Sequence, residues 1–231
     1  MRFGIISAGV GSRLSSDGFG QAKPLVSICG TPMIERLARI FCRCGAERIA
    51  VIVNEKSRET VDLLQRLSAE MPIDIVVKST PTPMHSLMEL APYLSCDRFC
   101  VTTVDTVFHE SRFRAMMDEF ASTPYDGLMG VSPFIDDEKP LYVNVDGDMM
   151  INGFLDEKAG CRYVSAGIYA LKASALEILE DCVDSGQTRM RYFQRRLLES
   201  GQRLKAFDMG QVIDVDHVSD IEKAQIIASG Q

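Results

Sequence analysis

The chain lacks several features that mark common protein classes. Among its 231 residues there is no apolar window of membrane-spanning length, and the N-terminal segment has no adequate apolar core for a signal peptide. Its seven cysteines include Cys42-x-Cys44 and Cys96-x3-Cys100, and neither spacing matches the CxxC pattern of zinc sites. We therefore expect free thiols in a reducing compartment, a cytoplasmic location and no membrane partner.

Charge and motif spacing exclude further classes. The net charge is −7 and the lysines and arginines are scattered, so we expect no basic face for a nucleic-acid partner. The histidines, His85, His109 and His217, form no HxxxH or HExxH pattern, which disfavours a histidine metal centre. No Gly-x-Ser-x-Gly element marks a nucleophile. A phosphate ligand would therefore have to be held by local cations.

A glycine-containing loop is the most informative stretch of the chain, and it follows a short apolar strand at residues 3–6. Gly9 and Gly11 allow a sharp turn and a close approach of the backbone to a ligand. Successive N–H groups in such a turn form an anion site, and Arg13 and Lys23 add fixed positive charge beside it. The loop is predicted to hold the phosphates of a nucleotide.

Two better-known phosphate motifs do not fit this loop. In a P-loop the lysine lies between glycine and serine or threonine, whereas Lys23 lies between Ala22 and Pro24. A dinucleotide fingerprint needs a third glycine where Leu14 stands, and an acid nearer than Glu55. A plain turn between a strand and a helix is the alternative to phosphate binding.

The pattern of strands and helices predicts an α/β fold: a Rossmann-like, mostly parallel sheet with helices on both faces. After residue 132 the regular alternation of strands and helices ends. A hairpin predicted around Asp146-Gly147 indicates a small β-rich substrate subregion. We predict one domain, 1–231, with a nucleotide-binding half at 1–131 and an acceptor-binding half at 132–231. Helices are expected to begin with Thr31 and Ser111 as N-caps. The predicted strands are 3–6, 49–53, 73–77, 99–104, 127–131, 141–145, 149–155, 163–171 and 212–215.

Carboxylates close two of these strands. Asp105 follows residues 99–104, and Asp214 and Asp216 close the strand at 212–215. Ligands of open parallel sheets lie beyond the carboxyl ends of strands, and Mg²⁺ needs only one or two protein carboxylates. We expect a magnesium site here, with Asp214 a better ligand than Asp216. The alternatives are a helix cap or a solvated turn.

Taken together, the motifs resemble those of the NTP-dependent sugar-1-phosphate nucleotidyltransferases. The likeness runs nearly end to end and implies a GT-A-like fold and synthesis of activated sugars. The residues that carry it, in chain order, are Ala8-Gly9-Val10-Gly11-Ser12-Arg13-Leu14, Lys23-Pro24-Leu25, Gly30-Thr31-Pro32, Asp105, Asp146-Gly147, Glu157-Lys158, Ser165-Ala166-Gly167 and Asp214-Val215-Asp216.

The resemblance also implies roles for individual residues. It implies that an acceptor phosphate attacks the α-phosphate of an NTP and releases pyrophosphate, with Mg²⁺ or Mn²⁺ as cofactor. Arg13 and Lys23 would be catalytic. The nucleotide would contact Ala8, Gly9, Gly11, Ser12, Thr80 and Ser86; the acceptor would contact Glu157, Lys158 and Gly167; and the metal would be held by Asp105, Asp214 and Asp216.

Some departures from the family pattern leave the base and the acceptor open. The stretch from Thr80 to Leu87 is more like the phosphocholine-type cytidylyltransferases, and Val104 stands where many sugar enzymes have glycine. The alternatives are a cytidylyltransferase for a choline- or alditol-type phosphate, a GT-A glycosyltransferase, or a nucleotide sensor without catalysis. The oligomeric state is not predicted.

Overall fold

The computed structural model describes residues 1–9, 14, 16–18, 20–134 and 139–230. Within these ranges no helix combines the length and the apolar character needed to cross a membrane. All seven cysteines are free, as predicted.

The first half forms the parallel part of a central sheet. The elements of this half are β1 (Arg2–Ser7), β2 (Ser27–Ile28), β3 (Thr31–Pro32), α1 (Met33–Arg43), β4 (Arg48–Val53), α2 (Arg58–Leu67), β5 (Ile73–Val77), α3 (Pro83–Leu94), β6 (Arg98–Thr103), β7 (Thr106–Phe108), α4 (Glu110–Ser122) and β8 (Gly127–Ser132). Strands β6, β1, β4 and β5 lie side by side in that order and pair in parallel, and helices connect them.

The second half joins the same sheet. The elements of this half are β9 (Tyr142–Val145), β10 (Ile151–Leu155), β11 (Tyr163–Lys172), α5 (Ser174–Asp184), α6 (Met190–Glu199), β12 (Leu204–Asp208), β13 (Val212–Asp214) and α7 (Val218–Ser229). Strand β11 runs antiparallel to β6, β8 and β9, and β12 runs parallel to β8. The strand order in the central sheet is β10-β9-β11-β6-β1-β4-β5, with β8 and β12 off this path. Strand β13 pairs with β7 in a separate two-stranded sheet.

The core lies on both faces of the central sheet because successive side chains of a strand point to opposite faces. Phe3 and Ile5 belong to one buried cluster, whereas Ala50 and Ile52 belong to the other. Burial on both faces explains why these strands read as continuous apolar runs. The predicted α/β fold with helices on both faces is confirmed.

Several predicted boundaries are wrong. Thr31 is not an N-cap, because Thr31 and Pro32 form β3 and the helix begins at Met33. The next error is at Ser111, which lies inside α4, since that helix begins at Glu110 after His109. Four further strands, β2, β3, β7 and β12, were not predicted because their runs are short or only half buried.

The predicted hairpin is confirmed. Strands β9 and β10 are antiparallel, and the Asp146 N–H donates to the Met150 carbonyl at 3.0 Å. The side chain of Asp146 also accepts from the N–H groups of Asp148 and Met150, both at 2.9 Å. These bonds close the turn, and the second strand starts at Ile151 rather than at 149.

Candidate active site

The start of the glycine loop is anchored to the neighbouring strand. The carbonyl of Ala8 accepts a hydrogen bond of 3.0 Å from the side-chain amide of Asn54, a buried residue that follows β4. Gly9 is exposed, and a Cβ placed on it would meet no protein atom within 4 Å. Packing within the described residues therefore does not require this glycine, whereas a ligand against the backbone would.

Three predicted loop residues, Gly11, Ser12 and Arg13, lie outside the described residues. They stay predictions.

Lys23 lies at the centre of the site. A short 3-10 turn at Lys23–Leu25 positions it, and the buried Pro24 fixes the backbone there. Its Nζ forms an ion pair with Asp105 and a second one, of 2.7 Å, with Asp216. Burial lowers the pKa of Lys23, but its ion pairs with Asp105 and Asp216 outweigh burial and raise the pKa above the usual value. The ammonium is therefore fixed in its charged form.

Backbone pairing brings the two aspartates together, although they lie far apart in sequence. Asp105 occupies the turn between β6 and β7, and its carbonyl accepts from the N–H of Val215 at 3.0 Å. Strand β13 pairs with β7, so Asp216 comes just beyond the same edge. The N–H of His217 donates to the Asp220 carboxylate at 2.8 Å, which fixes the chain where α7 begins.

Asp214 is the third carboxylate of the group. Desolvation, followed by the negative charge of Asp105, raises its pKa to about 7, while a hydrogen bond from Thr106 opposes the rise. Protein atoms surround its side chain on the wall of a cleft, which accounts for the desolvation, although part of the side chain still contacts solvent. The sequence favours Asp214 over Asp216 as a ligand, yet Asp216 is the one that shares Lys23 with Asp105.

The carboxylate oxygens of these aspartates are of the ligand type that Mg²⁺ prefers. Asp105, Asp214 and Asp216 lie near the ammonium of Lys23, and the negative charge of Asp105 contributes, after desolvation, to the raised pKa of Asp214. The described residues contain no cluster of three or more acidic, histidine or cysteine side chains arranged to hold a metal by themselves. Magnesium does not require one, since it keeps waters and binds substrate phosphates.

Two adjoining clefts meet at this point. The first, which we call the nucleotide cleft after the ligand that the sequence predicts near Lys23, has a volume of about 270 Å³ and contains Lys23, Asp105 and Asp216 in its lining. The second, which we call the acceptor cleft after the ligand predicted near Gly167, has a volume of about 440 Å³ and contains Asp214. Three residues line both clefts: Ile6, Pro83 and Thr103.

The start of α3 lies beside both clefts. Thr82 caps this helix, and its Oγ1 lies 2.8 Å from Nδ1 of His85. The predicted base-contact residues Thr80 and Ser86 pair with each other, with 2.5 Å between their hydroxyl oxygens. Ser86 is buried and also donates to the Thr82 carbonyl at 3.3 Å. These bonds fix the shape of the loop, and a contact of either hydroxyl with a nucleotide stays a prediction.

The residues predicted to contact the acceptor lie at two separate places in the structure. Gly167 lies in β11, lines the acceptor cleft and has a φ of +68°, a conformation that favours glycine. Glu157 and Lys158 lie on the exposed turn after β10. Only Gly167 of these three is in the described lining of the acceptor cleft.

Sequence reasoning missed the basic side of the acceptor cleft, which is formed by Lys139, Arg189 and Arg191. Arg191 pairs with Asp156 at 2.5 Å and donates to the Lys139 carbonyl at 3.0 Å. Arg189 is exposed and forms no ion pair with any described residue. The concentration of arginines between 189 and 196 is the signal that could have indicated this side.

Comparison with known protein families gives a match to most of this chain. Residues 4–201 match the model of the MobA-like NTP transferase domain. The chain belongs to this family. The predicted membership of the nucleotidyltransferases is thus confirmed, and the MobA-like domain accounts for most of the chain.

Individual relatives of this MobA-like domain are distant. A bifunctional protein GlmU from Methanococcus maripaludis is 24% identical over 226 residues, which are 95% of this chain and 52% of that protein. A CMP-5'-(3-aminopropyl)phosphonate synthase from Streptomyces rubellomurinus is 23% identical over 184 residues, which are 77% of this chain and 28% of that protein. The chain therefore spans about half the length of the first relative and less of the second.

A solved structure shows the same fold. The inositol-1-phosphate CTP transferase from T. maritima superimposes with a TM-score of 0.79 at 21% identity, over 98% of this chain and 95% of that one. The predicted GT-A-like fold is confirmed.

Proposed function

We propose that this protein transfers a nucleotidyl group from an NTP to a phosphomonoester. The leading acceptor class is a sugar 1-phosphate, which would give an NDP-sugar and pyrophosphate. The observation that carries the proposal is the position of Lys23, whose ammonium pairs with Asp105 and Asp216 beside the boundary of two clefts. Two substrates bound in adjoining clefts would bring their phosphates together at this group.

The chemistry needs little from the protein beyond positioning and charge. An oxygen of the acceptor phosphate attacks the α-phosphorus, the new P–O bond forms, and the bond to the β-phosphate oxygen breaks with its electron pair leaving on pyrophosphate. The acceptor is already anionic, so no protein nucleophile is required. Lys23 would neutralise charge at the α-phosphate, and Arg13 with the amides of Gly9 and Gly11 would hold the β- and γ-phosphates.

Mg²⁺, or Mn²⁺ in its place, would be held by Asp105 together with Asp216, with Asp214 as the third proposed ligand. The grouping of these three aspartates near Lys23 supports this assignment. When bound, the metal supplies further neutralisation of phosphate charge.

The acceptor would lie in the acceptor cleft. Gly167 leaves room for it on β11, and Asp214 lies on the same lining. Arg189, whose side chain has no ion-pair partner among the described residues, would contact its phosphate. Glu157 and Lys158 stay proposed acceptor contacts on the strength of the family resemblance alone.

A second candidate function is cytidylyl transfer to a phosphonate or to a non-sugar phosphate. The similarity to a phosphonate-handling synthase and to an inositol-1-phosphate CTP transferase favours it, as does the stretch from Thr80 to Leu87. A phosphonate has the same anionic oxygens as a phosphomonoester, so the site would act on either by the same displacement.

A matrix of nucleotides and acceptors tests the proposal. CTP, UTP, ATP, GTP and dTTP are each combined with sugar 1-phosphates, choline phosphate, alditol phosphates and aminoalkylphosphonates, and pyrophosphate release is measured with Mg²⁺ and with EDTA. We expect release that depends on the metal and on one acceptor class. Binding of NTP without pyrophosphate release from any pair would support a sensor. In a separate assay with an NDP-sugar in place of the NTP, hydrolysis of the NDP-sugar or transfer of its sugar would support a glycosyltransferase.

A further inference from the structure

Three buried hydroxyl groups have no hydrogen-bond partner among the described residues: those of Ser7, Thr60 and Thr102. A buried hydroxyl without a partner destabilises a protein, and native structures keep few of them without a functional reason. Thr60 lies in α2 and lines neither cleft. Ser7 lines the nucleotide cleft and Thr102 lines the acceptor cleft.

Ser7 is the last residue of β1, and only 5% of it is exposed. Its backbone is held in register with Val53 of β4, and Ala8 beyond it is tied to Asn54. The side chain has a single rotatable carbon–carbon torsion with three staggered positions. The hydroxyl can therefore turn towards a ligand without any movement of the strand.

The surroundings of Ser7 suit one part of a nucleotide better than the others. The charged residues of the nucleotide cleft are grouped around Lys23, which suits phosphates. A nucleobase presents apolar faces and a polar edge, so it fits an apolar wall that carries few polar groups. The apolar residues of the same lining are Ile6, Leu14, Pro24, Pro83 and Val104.

We propose that the Ser7 hydroxyl forms a hydrogen bond with the polar edge of the nucleobase and so contributes to the choice of NTP. The inference rests on the proposed function, because it takes the nucleotide cleft to be the NTP site. In the free protein this hydroxyl is already removed from water and has no hydrogen-bond partner in the part of the chain that the structure describes. Binding the base therefore adds a hydrogen bond without a new desolvation cost on the protein side.

Ser7→Ala and a matched control, Thr60→Val, test the proposal. The control also removes a buried hydroxyl without a partner, but at a residue that lines neither cleft. The specificity constant is measured for CTP, UTP, ATP, GTP and dTTP, together with the melting temperature without nucleotide. We expect S7A to lower kcat/KM for the preferred NTP by about tenfold, the scale of one hydrogen bond, and to lower it less for the others. T60V should leave the preference unchanged.

Stability gives a second readout. Since neither hydroxyl has a hydrogen-bond partner within residues 1–9, 14, 16–18, 20–134 and 139–230, S7A and T60V should melt at the same temperature as the wild type or higher. A lower melting temperature for S7A would show that the hydroxyl has a structural partner, and would overturn the proposal. An equal loss for all five nucleotides would place the contact at the ribose or the phosphates and would also overturn it, as would unchanged kinetics.

Equilibrium binding separates this inference from the proposed function. The same nucleotides are titrated into wild-type protein and S7A without an acceptor. A protein that binds NTP and transfers nothing fails the proposed function, yet a base-dependent loss of affinity in S7A would still support the role of Ser7. A wild-type protein that binds no NTP would overturn both.

Discussion

The nucleotide cleft and the acceptor cleft differ in how their residues are distributed along the chain. Much of the nucleotide cleft comes from one stretch between Ile6 and Pro24, joined by Asp105 and Asp216. The acceptor cleft is assembled from short pieces of many elements, from Ile6 to Asp214. Binding residues that lie in one continuous stretch can be recognised from the sequence. Residues that come from many separate elements can be recognised as one site only in the folded structure.

The clefts also differ in how their cations are balanced. In the nucleotide cleft, Lys23 is held by Asp105 and Asp216. In the acceptor cleft, Arg191 is paired with Asp156 but Arg189 has no ion-pair partner among the described residues. A paired cation is positioned before substrate arrives, and an unpaired one is open to an anion that the substrate brings. The two clefts should therefore respond differently to loss of a cation.

Removing the central ammonium should have the largest effect. Lys23→Ala is expected to lower the rate of pyrophosphate release by about a hundredfold or more, the scale of one preorganised charge. The control is Lys56→Ala, which removes an exposed lysine that lies outside both clefts. Near-normal release in K23A would contradict the catalytic role, and a rate loss of the same size in K56A would show a non-specific charge effect.

The three aspartates should differ in their effect on metal binding. Asp105 and Asp216 line the nucleotide cleft, whereas Asp214 lines the acceptor cleft. Asp105→Asn and Asp216→Asn are each expected to lower turnover by about a hundredfold at fixed Mg²⁺. Because Asp216 shares Lys23 with Asp105, D216N should raise the Mg²⁺ concentration for half-maximal rate more than Asp214→Asn does. A greater metal requirement in D214N than in D216N would reverse this order.

Arg189→Ala should act on the acceptor alone. Loss of a charge-assisted contact is expected to raise KM for the acceptor by about tenfold or more and to leave KM for the NTP unchanged. Arg196→Ala is the control, since Arg196 lies on α6, the helix that Arg189 immediately precedes, but outside the lining of the acceptor cleft. Equal changes in the two KM values would contradict the division into two clefts.

Thr102→Val should have the smallest effect. The substitution keeps the shape of the side chain and removes a hydroxyl that has no partner among the described residues. If the acceptor satisfies this hydroxyl, KM for the acceptor rises by about threefold to tenfold. The melting temperature of the free protein should not fall. An unchanged acceptor KM would show that Thr102 does not contact the acceptor.

Sequence patterns could predict the sheet and its order of elements because both faces of the strands are buried, as at Phe3 and Ile52. They could not predict β12, whose half-buried strand pairs with β8 across a long sequence separation. The start of α1 was misplaced because the Thr31-Pro32 pattern typical of a helix start is here used by a short strand.

Part of the candidate site could also be predicted. Lys23 and Asp105 could be identified from the sequence as site residues because Lys23 follows a glycine-containing loop and Asp105 follows a buried strand. Their direct ion pair could not be predicted, since it depends on the turn at Lys23–Leu25 meeting the end of β6. No local sequence pattern marks Arg189. It lines the acceptor cleft because of the position of α6 against β11 in the folded chain.

The most direct test of the account is a crystal structure with Mn²⁺ and a non-hydrolysable NTP, with the metal located by its anomalous scattering. We predict a peak bound by the carboxylate of Asp105, with the triphosphate against Gly9 and Lys23. A peak remote from Asp105, or a triphosphate that lies outside the nucleotide cleft, would contradict it.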